Sequence, residues 1–152
     1  MSDYSVKLSW KRNTPEFIYK EYSRDHTLDF GNGNVINASS SPEYFGNAEF
    51  IDPEQAFIAS LTSCHMLTFL AIACKKRFSV IEYSDSAVGV LEENDNKKTV
   101  ITQINLCPKV VFDSEKVPTE EQFKKMHDQA HEYCFIANTI KDCVRVSINA
   151  AL

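Results

Sequence analysis

Apolar and polar residues alternate in the first fifty positions of the chain, which is the pattern of half-buried β-strands. Val6, Leu8 and Trp10 share one face of the first such segment, and polar residues occupy the other face. The run Gly31-Asn32-Gly33-Asn34 tolerates positive φ angles and is typical of a hairpin turn. The pattern predicts strands over residues 5–10, 17–22, 27–30 and 35–38, followed by a loop over 39–52.

A long apolar stretch begins after residue 52. Asp52 is suited to cap a helix, Pro53 to occupy its first position, and Glu54 to stabilise its positive end. The 18 residues from 57 to 74 carry no Asp, Glu, Lys or Arg, and the stretch ends in Lys75-Lys76-Arg77. Its length reaches that of a membrane-spanning helix. Because Ser, Thr and His interrupt it and it is the only such run, we interpret it as the central helix of a soluble domain.

Alternation returns in the second half of the chain. Residues 80–91 and 99–112 predict two long antiparallel strands, with the turn at Asn94-Asp95-Asn96. Thr119 followed by Gln122 forms a capping-box sequence, so we expect an amphipathic helix to begin there. A last strand is predicted over 143–150. The apolar positions of the second helix are Phe123, Met126, Ala130 and Cys134.

This order of elements predicts an α+β fold, in which antiparallel β-sheets pack against the long central helix and the second helix. We expect one domain over residues 1–152, with N-terminal strands over 1–50 and the remaining elements over 53–152. The chain has 152 residues, an ordinary size for a single domain.

Charge and composition exclude some classes of function. The net charge of −5 and the absence of a basic stripe argue against nucleic acid as a partner. The first residues show no signal-peptide pattern, so we expect a cytoplasmic protein with no membrane partner. Five cysteines without that signal indicate a reducing compartment, where standing disulfides are uncommon.

The five cysteines are therefore expected to have separate roles. Cys64 lies about eleven residues into the central helix, roughly 15 Å along its axis, so the positive helix end cannot by itself stabilise a thiolate there. If Cys64 reacts, another segment has to bring a cation, because His65 points about 100° away. Inert packing remains the alternative for Cys64, and it is the expected role of Cys74, Cys107 and Cys143.

A metal site is a second alternative. His127, His131 and Cys134 follow one another at spacings of four and three residues and could share one helix face as three zinc ligands. The other interpretation places both histidines on the solvent-facing side of an amphipathic helix. Since neither HExxH nor CxxC is present, we predict no metal.

Two stretches carry a family resemblance. DPEQAFIASLTSCHMLTFLAIACKK, at 52–76, resembles the central helix of the OsmC/Ohr superfamily, in particular its OsmC-like branch. AHEYCFIANTIK, at 130–141, is similar to the second cysteine motif of that family. YSRDH, at 22–26, is a weaker match. The resemblance runs in the same order from about Trp10 to the C-terminus.

The resemblance implies a thiol-dependent peroxidase that reduces organic hydroperoxides and forms an intertwined homodimer. No cofactor is implied beyond an external reductant, either a dithiol or a lipoyl-type protein. The alternative on the same fold is a non-catalytic ligand-binding or redox-sensing module. The implied site residues are Cys64 as peroxidatic and Cys134 as resolving cysteine, Glu54, Arg24 with Arg12 as its alternative, and His65 in a lining role. Apart from the resemblance, the aromatic residues Phe57 and Phe135 suggest an apolar substrate pocket, and core packing explains them equally well.

The positions of these residues lead to an expectation about assembly. Glu54 and Cys64 are ten residues apart, which on one straight helix separates them by about 15 Å. We therefore expect either a break in the helix near Ala59-Ser60, or an arginine and a glutamate that reach Cys64 from the partner subunit.

Overall fold

The fold is described from a computed structural model that covers residues 1–113 and 115–152. Its internal contacts divide the chain into two compact units, Met1–Ala56 and Phe57–Leu152. Each unit is described by itself below. The expectation of one domain over residues 1–152 stays a prediction.

The first unit contains a three-stranded antiparallel sheet of β1 (Lys7–Ser9), β2 (His26–Asp29) and β3 (Val35–Ala38), in that order. Gly31 and Gly33 have φ angles of 83° and 80° in the turn between β2 and β3, and Asn32 has a φ of 53°. The predicted hairpin is therefore confirmed, and the predicted first strand is confirmed at its centre. A short 3-10 helix at Pro42–Tyr44 follows β3.

The predicted strand over 17–22 is wrong, because this segment turns back on itself. The Tyr22 N–H donates to the Ile18 carbonyl at 3.0 Å, as in a helical turn. The aromatic side chains that suggested a strand pack instead on one another: Phe17 lies 4.7 Å from Tyr22 and 6.0 Å from Trp10 between ring centroids. Local aromatic packing therefore outweighs strand propensity here.

The central helix α1 extends over Pro53–Lys75. Asp52 caps the N-terminus of the helix as predicted, because the Gln55 N–H donates to the Asp52 carboxylate at 2.7 Å. The helix is unbroken, so the expected break near residues 59–60 is wrong. The Ser60 hydroxyl donates to the Phe57 carbonyl at 2.7 Å and so stays bonded to its own helix. By length and composition α1 could cross a membrane, a test that the core helix of a soluble protein also passes.

The second unit contains two antiparallel strand pairs, β4 (Val80–Asp85) with β7 (Pro108–Phe112) and β5 (Val88–Glu93) with β6 (Thr99–Leu106). A further strand, β8 (Arg145–Ile148), lies parallel to β6. Each predicted long strand is thus divided in two. The Asp85 carboxylate accepts the Cys107 N–H at 2.7 Å where the division occurs, and Pro108 has no N–H to continue the ladder.

Two further helices, α2 over Glu120–Tyr133 and α3 over Phe135–Ile140, complete the unit. Cys134 ends α2 and begins α3, a division that the sequence pattern did not predict. The second unit packs around two apolar clusters. α1 carries a buried stripe at four-residue spacing, which consists of Leu61, His65, Phe69 and Ala73, and its three apolar members belong to these clusters.

Thr119 forms the predicted capping box with Gln122. Its hydroxyl accepts the Gln122 N–H at 3.2 Å, and the Gln122 side chain accepts the Thr119 N–H at 3.0 Å. We expect Thr119→Ala to lower the free energy of unfolding by about 1 kcal/mol, measured in urea. Thr119→Ser keeps the hydroxyl and is the control. An equal loss in both variants would contradict a role for the cap.

Candidate active site

The fold brings two thiols into contact that are seventy residues apart in sequence. Cys64 lies half-buried on α1, and Cys134 lies at the junction of α2 and α3 with 0% of its surface exposed. Both belong to one apolar cluster, in which the Cys64 side chain interacts directly with the Cys134 thiol. Neither cysteine is in a disulfide.

The surroundings of Cys134 keep its proton on the sulfur. Burial and, to a smaller extent, the interaction with Cys64 together raise the pKa of Cys134 to about 11. The Ala137 N–H, which donates to the Cys134 sulfur at 3.4 Å, opposes these effects. At neutral pH Cys134 is therefore a neutral thiol beside Cys64.

A pair of histidines joins the helices that carry the thiols. The rings of His65 on α1 and His127 on α2 share a hydrogen bond of 2.9 Å between Nε2 and Nδ1. Their exposed fractions are 0% and 2%. Burial lowers the pKa of His65 to about 4, with a smaller effect from His131, and lowers the pKa of His127 to about 3, with a smaller effect from His65. Both rings are neutral at pH 7.

The expectation that His127 lies on the helix surface is therefore wrong. The residue follows Phe123 by four positions and precedes Cys134 by seven, so it belongs to the buried stripe of α2. That spacing was visible in the sequence and is the signal that could have identified the pair. His131 is half-buried, and its Nδ1 is inaccessible and unbonded within the described residues.

The structure does not support the alternative of a zinc site with Cys134 as ligand. The Cys134 sulfur contacts Cys64 and the Ala137 N–H, and the histidine bond runs between His127 and His65 instead. Within residues 1–113 and 115–152, no three His, Cys, Asp or Glu side chains come together as potential metal ligands.

Arg24 is bound within the first unit. Its guanidinium donates to the carbonyls of Tyr19 and Tyr22 and lies 3.7 Å from the Tyr22 ring centroid. Glu54 is half-buried in the first turn of α1, and Arg12 is exposed. Activation of Cys64 by Arg24 or Arg12, together with Glu54, stays a prediction.

The residues predicted to line a substrate pocket have different environments. Phe57 packs against the cluster that contains both thiols, whereas 81% of the Phe135 surface is exposed. His65 faces His127 inside the helix interface. Their role toward a substrate stays a prediction.

Most of the chain matches a known protein family. The family model described as OsmC-like protein matches residues 46–149, which include both thiols and the histidine pair. The chain belongs to the OsmC-like family. The resemblance inferred from the two cysteine motifs is thereby confirmed.

Solved structures agree with this assignment. An OsmC-like protein of unknown function from Vibrio cholerae is 44% identical, with a TM-score of 0.93 over 99% of this chain and 100% of that one. An organic hydroperoxide resistance protein from Legionella pneumophila is 17% identical, with a TM-score of 0.72 over all of both chains. An organic hydroperoxide resistance protein of Bacillus subtilis is 14% identical, with a TM-score of 0.68 over 97% of this chain and 98% of that one. At these low identities, the last two structures show only that the fold is shared. A search of curated proteins found no significant match.

Proposed function

We propose that this OsmC-like protein is a thiol-dependent peroxidase that reduces organic hydroperoxides to alcohols. The observation that supports the proposal is the interaction of Cys64 with Cys134, which pairs two reduced thiols inside one apolar cluster. Neighbours of the same fold that are named organic hydroperoxide resistance proteins support the choice of substrate class.

Burial supports the assignment of roles to the two thiols. Cys64 is partly accessible, whereas Cys134 is fully buried and protonated at neutral pH. A hydroperoxide therefore meets Cys64 first, and Cys134 reacts only with the sulfur beside it. Cys64 is accordingly the peroxidatic and Cys134 the resolving cysteine.

The proposed reaction has two steps and a reduction. The Cys64 thiolate attacks the terminal peroxide oxygen, the O–O bond breaks, and the alkoxide takes a proton to leave as the alcohol. The Cys134 sulfur then attacks the resulting sulfenic acid, and its proton leaves with the hydroxyl group as water. A dithiol or lipoylated protein reduces the Cys64–Cys134 disulfide by exchange and needs no bound cofactor.

Activation of Cys64 requires a cation, and we propose that a second copy of the chain supplies it in an intertwined homodimer. The unbroken helix α1 keeps Glu54 about 15 Å from Cys64, so the two residues of one chain cannot meet along it. The outward face of α1 supports an apolar partner, because Leu67 is 60% exposed and Ser60, Ser63 and Ala71 beside it are small. Arg24, with Arg12 as the alternative, and Glu54 would then act across the dimer.

Phe57, Phe135 and His65 remain our candidates for the substrate pocket, and the cytoplasm is the proposed location. Free thiols need a reducing environment, which supports that compartment. The apolar cluster around Cys64 and Cys134 favours organic peroxides over hydrogen peroxide.

Treatment with one equivalent of cumene hydroperoxide tests the proposal. We expect loss of two thiols per chain, a Cys64–Cys134 linkage in the peptide map, and repeated turnover when dihydrolipoamide or dithiothreitol is present. A linkage without turnover would favour a redox-sensing module, and thiols that stay reduced would favour a ligand-binding module.

A further inference from the structure

Three side-chain contacts, here called levels, join the segments that carry the thiols. Their order along α1 is the reverse of their order along α2 and its C-terminal end, so the two helices run antiparallel. Phe69 packs on Phe123 with ring centroids 5.9 Å apart, and His65 is bonded to His127. Cys64 contacts Cys134 beyond them. The histidine pair is thus the polar level between an aromatic level and the thiol level.

The polar level restricts how α1 and α2 can pack. Apolar side chains tolerate small sliding movements, because their contacts have little directional preference. The His65–His127 bond is directional, and its rings are enclosed by Phe69, 4.2 Å from His127, and Phe123, 4.6 Å from it between centroids. Any other alignment of the helices would leave two buried imidazoles without this bond, so the pair selects one alignment.

The alignment selected by the histidines is the one in which the thiols meet. His65 follows Cys64 directly, and His127 precedes Cys134 by seven residues, or about two helical turns on the same face. A shift of one turn would move the sulfurs about 5.4 Å relative to each other, far beyond the reach of an S–S bond of about 2.0 Å.

We propose that His65 and His127 are positioning residues, whose mutual hydrogen bond holds Cys134 against Cys64 and so sets how fast the sulfenic acid is resolved. This inference rests on the proposed peroxidase function for its kinetic part. Slow resolution leaves the Cys64 sulfenic acid exposed to a second hydroperoxide, which oxidises it to the sulfinic acid and is itself reduced to the alcohol.

Two variants of similar size separate the hydrogen bond from packing. The amide of Asn occupies the place of the His Nδ1, so His127→Asn retains a hydrogen-bonding group toward His65, and His127→Leu removes it. After one equivalent of cumene hydroperoxide, we expect the ratio of Cys64 sulfinic acid to Cys64–Cys134 disulfide to rise about tenfold in His127→Leu and to stay near the original value in His127→Asn, measured by mass spectrometry.

Met126→Ala is the matched control for stability. Met126 is fully buried one residue away and packs into the other apolar cluster. We expect it to lower the melting temperature and to leave the ratio unchanged. If His127→Leu does not fold, His127→Gln is used in its place. The Gln amide lies one methylene farther out than that of Asn and so misses the place of Nδ1, from which His127 bonds His65.

A second measurement is independent of peroxidase activity. The disulfide is equilibrated with reduced and oxidised dithiothreitol, and its equilibrium constant reports how closely the two thiols are held. We expect about a tenfold fall in His127→Leu. If this fall occurs in a protein that does not consume hydroperoxide, the proposed function fails and the positioning role stands. An unchanged constant and an unchanged ratio would overturn the positioning role.

Discussion

We expect Cys64→Ser to lower the rate of hydroperoxide consumption by about three orders of magnitude or more, because serine offers no comparable nucleophile at neutral pH. Cys134→Ser completes about one turnover, since the Cys64 sulfenic acid has no neighbouring thiol to condense with, and further hydroperoxide then oxidises it to the sulfinic acid. A coupled assay with dihydrolipoamide measures the first variant, and mass spectrometry of the Cys64 peptide measures the second. The different outcomes follow from the half-buried position of Cys64 and the full burial of Cys134.

Cys74→Ser is the matched control, because Cys74 lies ten residues further along the same helix and is exposed. It should leave turnover unchanged. Full turnover in Cys64→Ser would refute the peroxidatic assignment. Repeated turnover in Cys134→Ser would mean that the external thiol attacks the Cys64 sulfenic acid directly, and that Cys134 does not resolve it.

Acid destabilises the reduced protein through its buried histidine pair. In the folded protein the pKa of His65 is lowered to about 4 and that of His127 to about 3, whereas a histidine in the unfolded chain titrates near its ordinary value of 6.5. Between pH 6.5 and 4 the unfolded chain therefore binds more protons than the folded one. The contribution of the neutral histidine pair to the free energy of unfolding is therefore complete above pH 6.5 and is lost as the pH falls.

The size of this loss follows from the pKa difference. Each pKa unit corresponds to about 1.4 kcal/mol, so His65 alone accounts for a loss of about 3 kcal/mol by pH 4. His127, whose pKa is lower still, adds to the loss. Asp85 acts in the opposite direction, because burial raises its pKa and the folded state takes up that proton first.

Urea unfolding at pH 7, 6, 5 and 4 measures the loss. The double variant His65→Leu/His127→Leu removes both imidazoles together and leaves no unpaired partner, while Asp85 remains. We expect the original protein to lose stability more steeply than the double variant over this range. Parallel curves would show that the histidines do not control the acid response.

Local chemistry in the sequence determined the elements and the family. Asp52 and Pro53 start α1, Thr119 and Gln122 start α2, and the Gly31–Gly33 turn joins β2 to β3. Each of these signals acts over a few residues, through one capping bond or one backbone angle, so it can be predicted without knowledge of the rest of the chain. The two cysteine motifs, by the resemblance they carry, likewise indicated the OsmC-like family before the fold was known.

The tertiary structure decided which distant residues meet. The Asp85 carboxylate divides two predicted strands by bonding a backbone N–H that is 22 residues away. His127, expected on the surface, is buried because it bonds a histidine 62 residues earlier. The contact of Cys134 with Cys64 likewise depends on the alignment of two helices. A local pattern can indicate which face of a helix is buried, but packing between elements decides which distant residue that face meets.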